Sequence, residues 1–94
     1  MGLGSNNIRY VGKQIIFANL GSFLLQLNQF DESIKYSKEA NVIAPKYPIP
    51  HFYIGVALFQ KDKTDDAIPN RRKAAELGFP KAILALQEIM GIEH

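Results

Sequence analysis

The sequence predicts an all-α domain made of two helix pairs followed by a single fifth helix. Three observations predict it. Apolar residues recur at spacings of three and four, and no period-two alternation of a strand occurs anywhere. Sliding the chain by 34 residues lays Ile15 on Ile49, Gly21 on Gly55, Leu24 on Leu58, Gln26 on Gln60, Asp31 on Asp65, Ile34 on Ile68 and Ala40 on Ala74. Pro, Gly and Asn fall between the periodic segments, where helices end.

The first helix is expected over residues 8–27, with Ile8, Val11, Ile15, Ile16, Leu20, Phe23, Leu24 and Leu27 forming its apolar positions and only Gly12 and Gly21 opposing it. Asn28 and Gln29 close it, and Asp31 is placed to cap the second helix, which runs to about Ala44 with Ile34, Ser37, Ala40 and Ile43 on one stripe. Pro45 stops that helix, and the stretch PKYPIP, residues 45–50, reads as a stiff extended connection because each residue before a proline is pushed out of the helical region. Pro50 then opens a third helix, 50–61. Thr64 or Asp65 caps a fourth, about 65–77, ended by Gly78. Pro69 lies deep enough in it to predict a late start or a slight kink, a local irregularity more than a hinge. A fifth helix follows over 80–91, with Pro80 in its first turn and Ile83, Leu84, Leu86, Ile89 and Met90 apolar.

Composition limits the function. Ninety-four residues with 47% hydrophobic and 21% charged side chains make one small globular domain. Without cysteine there is no disulfide framework, thiolate site or cysteine nucleophile, which fits a cytoplasmic chain. No apolar run approaches a membrane span, residues 1–7 carry no signal-peptide pattern and are expected to be disordered, and a net charge of +2 is small for nucleic acid.

Two short helices cannot cover their own apolar stripe, so repeated pairs stack. Gly21 and Gly55 sit mid-helix, where each costs about 1 kcal/mol against Ala. Close approach of the partner helix near Ser33 and Ala67 is the expected compensation.

These residues resemble the tetratricopeptide repeat family. The first copy, 14–47, supplies Phe17, Leu20-Gly21, Leu24, Ser33, Ala40 and Pro45; the second, 48–81, supplies His51, Ile54-Gly55, Leu58, Ala67 and Ala74, with Pro80 one residue late. Ser37 and Arg71 stand where the family usually has an aromatic residue, and RKAAELGFPKA is similar to the related Sel1-like repeats. The resemblance implies a right-handed superhelix of two hairpins with a C-terminal capping helix. It also implies a non-enzymatic interaction module whose first helices line a concave groove for a peptide or helix. The positions that line such a groove are Ile15, Ala18, Ser22 and Leu25 in the first copy and Ile49, Phe52, Val56 and Phe59 in the second, with Tyr53 at the border. The family's carboxylate clamp, which binds chaperone tails through Lys, Asn and Arg, is absent: its polar positions fall on Ala18, Ser22 and Tyr53. The expected partner is therefore an apolar protein segment, with no cofactor.

Other chemistry is poorly supplied. His51 and His94 have no second ligand at helical spacing, so no metal is expected. Asp31, Glu32, Asp65 and Asp66 fall in first turns, where negative charge favours the helix dipole. Arg71-Arg72-Lys73 reads as a solvated outer face. No phosphate loop or nucleophile motif is present, so an enzyme is not expected. Three rival readings remain: a self-assembling homodimer using the groove or the fifth helix, a small secretion-type tetratricopeptide chaperone, and an RNA-binding helical repeat.

Overall fold

The computed structural model describes residues 12–90, without the side chains at 85, 86 and 88–90. The expectations for residues 1–7, Ile8, Val11 and Gly91, and for the side chains of Leu86, Ile89 and Met90, lie outside that description. Five helices occupy the described residues and no strand occurs among them: α1 (Lys13–Gln26), α2 (Phe30–Ile43), α3 (Pro48–Gln60), α4 (Thr64–Glu76) and α5 (Pro80–Met90). Each packs on its neighbour in sequence, and α1 also touches α3.

Close approach within each pair occurs at the two mid-helix glycines. A Cβ on Gly21 would lie 2.5 Å from Ser37 Oγ and 3.4 Å from the Ser33 carbonyl oxygen. Thirty-four residues on, a Cβ on Gly55 would lie 2.5 Å from Arg71 Cγ and 3.2 Å from the Ala67 carbonyl oxygen. The crossing helices are small where they meet these glycines: Ser33, Ser37 and Ala40 on α2, Ala67 and Ala74 on α4, all buried. In the first pair, Ser33 Oγ donates to the Gly21 carbonyl at 2.7 Å, which holds the crossing by a buried hydrogen bond.

The turn within each pair also repeats. Gln29 N–H donates to Leu24 O at 2.9 Å and Asn28 N–H to Leu25 O at 3.0 Å, with Asn28 at φ 61°. Lys63 and Asp62 make the same two bonds to Leu58 and Phe59, with Asp62 at φ 64°. Both are paired 6→1 and 5→2 closures around a left-handed residue, and Gly78 at φ 93° ends α4 in the same way. The connection between the pairs is different. Asn41 Nδ2 donates to Ala44 O and Tyr47 O, and His51 Nε2 donates to Pro45 O, so side chains tie this turn.

Several boundaries differ from expectation. Helix α3 begins at Pro48, so 48–50 are its first turn and not an extended connection; first-turn residues donate no intrahelical bond, and both prolines fit there. Asp31 does not cap α2, and neither Thr64 nor Asp65 caps α4. Gln29 and Lys63 hold the cap positions without a side-chain bond, the acidic residues lie inside the first turn, and Asp31 instead pairs with Lys61 at the end of α3. Helix α4 does not start late: its first turn precedes Pro69, whose ring faces outward. Ile43, expected on the buried stripe of α2, is exposed, as are Ile16, Phe23 and Leu27 of α1.

Two tests follow from this packing. Gly55→Ala should destabilise the fold by about 1–3 kcal/mol, because the methyl meets a buried Arg71 stem and a backbone oxygen; Gly21→Ala should cost less, since only a hydroxyl must rotate and the helix gains about 1 kcal/mol of propensity. Urea unfolding of both variants checks the order. The Lys61 ammonium, by hydrogen bond and charge, holds the Asp31 carboxyl below its ordinary value of 3.8. A lowered carboxylate contributes stability above its ordinary range and loses it as pH falls through the lowered value. Lys61→Met should return the Asp31 titration, followed by NMR, toward 3.8.

Candidate functional site

Successive residues of a helix turn by about 100°, so Ile49, Phe52, Tyr53, Val56 and Phe59 share one side of α3, beside the edge where Gly55 meets α4 and away from Pro50, Ile54 and Ala57. The last three are buried, and Ile54 lies beside Ile34 and Lys38 of α2. The α2-facing surface of α3 is thus distinct from the side predicted to bind, whereas α4 reaches that side at its Phe52–Phe59 edge.

The predicted residues do not all meet the same environment. Ile15, Ser22 and Leu25 of α1 and Ile49, Phe52, Tyr53 and Val56 of α3 are half-buried, and Phe59 is 39% exposed. Ala18 is 1% exposed and belongs to the core, a correction to its placement in the groove: its methyl is too short to reach the surface from a position covered by neighbouring helices. Phe52 is engaged from within the fold. Its ring meets Phe79 edge-on at 5.1 Å and a 70° interplanar angle, and Tyr53 stands 6.4 Å away. On α1, the ring of Phe17 stacks on Tyr36 of α2 at 6.1 Å.

Sequence reasoning missed Arg71. Expected on a solvated face, it is 6% exposed, while Arg72 and Lys73 are exposed. Its stem crosses Gly55, and its guanidinium reaches between two rings, 5.8 Å from the Phe52 centroid and 5.1 Å from that of Phe59. A planar, weakly hydrated cation tolerates such a site where an ammonium would not. The signal was present: Ala67, Arg71 and Ala74 have the 4–3 spacing of a buried stripe, and Arg71 is the 34-residue counterpart of the buried Ser37.

Chemically, this region offers an apolar ledge with a cation beneath it. Surface concavities among the described residues lie elsewhere, for example at the α1–α2 turn against Lys61, at the α3–α4 turn, and between α2, α3 and α4 around Ile34, Leu58 and Pro69. Among the described residues no three His, Cys, Asp or Glu gather as metal ligands, and no helix is long and apolar enough to cross a membrane. Burial, with a smaller contribution from Tyr53, pushes the Tyr47 hydroxyl above its ordinary range, so it stays protonated and neutral at physiological pH. Comparison with protein-family models and with curated protein sequences finds no match.

Arg71→Met, which keeps most of the stem and removes the cation, should cost about 1–2 kcal/mol from the two ring contacts. Arg71→Ala should cost more by opening a void over Gly55. Denaturant midpoints of the pair read this directly; equal losses would assign the whole effect to the guanidinium.

Proposed function

We propose that this chain is a non-enzymatic protein-interaction module of the tetratricopeptide type, in which two stacked repeats begin a right-handed superhelix closed by α5. Its ligand is an apolar helix or extended segment lying along α1 and α3. The repeat assignment is supported by the recurrence, 34 residues apart, of the glycine crossings and of the left-handed turns at Asn28 and Asp62. The observation that carries the binding assignment is Phe59: a large aromatic side chain that stays 39% exposed although the Arg71 guanidinium of α4 lies 5.1 Å from its ring.

Within this reading Phe52 is the floor and not the anchor, since Phe79 and Arg71 already hold it. Phe59 and Val56 present the contact surface, and Ile15, Ser22 and Leu25 extend it across α1. Apolar burial at about 25 cal/mol per Å² supplies the attraction, so affinity should change little with salt.

A phage library of sixteen-residue amphipathic peptides, selected on the intact chain, tests the proposal. Selected peptides should carry apolar anchors at i, i+3 or i+4 and i+7, and Phe59→Glu should weaken them at least about tenfold without loss of helicity. Binding that survives Phe59→Glu, or that collapses between low and high salt, sinks the groove assignment.

A further inference from the structure

Arg71 and the two rings it meets form one unit. Phe52 and Phe59 stand seven residues apart on α3, an interval of about 10.5 Å along the helix axis. The Arg71 guanidinium lies 5.8 Å from the first centroid and 5.1 Å from the second, so it occupies the gap between them. Filling the Gly55 crossing does not require this head group: the side-chain atom that approaches Gly55 is Cγ, which Lys, Gln and Met also carry. The 34-residue counterparts change together. Where α1 carries Ala18 and Leu25 in place of the rings, α2 carries Ser37 in place of the arginine. The guanidinium therefore accompanies the rings and not the crossing, since the close approach at Gly21 is made without one.

We infer, on the groove reading above, that Arg71 is a positioning residue of the ligand site: its guanidinium holds the Phe59 ring in the orientation a ligand meets and closes the gap between the rings, so that ligand anchors seat over the rings and not between them. Phe52 has a second support in the edge of Phe79. Phe59 stands one residue before the end of α3 and is 39% exposed, so its rotamer depends more on the arginine. Arg71 itself is 6% exposed, and its surroundings make it a fixed support. A ring ordered before binding has less side-chain freedom left to lose, which raises affinity. Shape matters as well as charge. A flat guanidinium can face two rings, whereas an ammonium on a flexible stem is a strongly hydrated point charge.

NMR of the intact chain tests the positioning with no ligand present. In the wild-type chain the Phe59 χ1 couplings should report one rotamer, and the rings should shift the Arg71 Nε–H proton upfield. Arg71→Met keeps Cγ at the crossing, so helicity by circular dichroism should hold while Phe59 averages over rotamers; Arg71→Lys should not restore its order. Phe59→Leu, at an exposed position, should move the Arg71 Nε–H signal downfield, which reads the same contact in a chain whose crossing is intact. Peptides selected on the wild-type chain should bind Arg71→Met about two- to tenfold more weakly, and Phe59→Leu should cost less affinity in that background than alone. A Phe59 rotamer unchanged by Arg71→Met, an Arg71 signal unmoved by Phe59→Leu, or equal peptide affinity for the wild-type chain and Arg71→Met would overturn the inference. A chain that selects no peptide would sink the groove reading alone, because ring order is read without one.

Discussion

The fold depends on two helix crossings in which a glycine replaces a side chain. At Gly21 and at Gly55 the partner helix comes so near that even a methyl group would collide with it. The residues next to the crossing are sized accordingly: Ser33, Ser37 and Ala40 fill the α2 side, and Ala67, Ala74 and the slender stem of Arg71 fill the α4 side. Hence a small core with little bulk, whose largest fully buried side chains are Pro50, Ser33 and Ser37. Contacts at such short range give strong dispersion attraction for each atom, which substitutes for the volume that a 94-residue chain cannot bury.

The two crossings have the same geometry and different chemistry. In the first, a hydroxyl group bonds to the glycine carbonyl and a second hydroxyl, Ser37 Oγ, is buried with no protein partner. In the second, an arginine stem occupies the Ser37 position and carries a cation out to the ledge of α3. The repeat therefore conserves backbone distance while letting the adjoining side chain serve a different end. Arg71 links the interior to the candidate surface, because the atoms that fill the crossing and the atoms that support Phe52 and Phe59 belong to one residue.

Much of this was legible in the chain. The period of 34 and the lone mid-helix glycines located the helices, the close approaches and the small residues at Ser33 and Ala67. Boundaries were read less well for a local reason: acidic residues in a first turn and residues at a cap share a composition, so Asp31 and Asp65 were placed two positions too early in the helix. Prolines mislead in the same way, since Pro48 and Pro50 break a helix interior but are neutral in a first turn. Arg71 and Ala18 escaped because residue type was allowed to outweigh register. A charged residue on a buried stripe and a small residue on a surface stripe are told apart only by what stands opposite, which periodicity does not state. The exposed side of α1 was invisible for a further reason, in that an apolar position predicts a neighbour without saying whether the chain contains one.

The connection into α5 has a consequence for the array as a periodic object. Helix α3 begins at Pro48, whereas α5 begins at Pro80, two residues ahead of the 34-residue frame. Burial follows the shift: Ala82, third in its helix like Pro50, is buried, while Leu84, which the strict frame would align with Pro50, stands 62% exposed. The shorter α4–α5 turn is thus a frame slip that turns α5 by roughly half a revolution relative to a sequence-aligned third unit. A helix pair copied at the original period would therefore meet α5 out of phase, as a row of atoms meets a dislocation in a crystal.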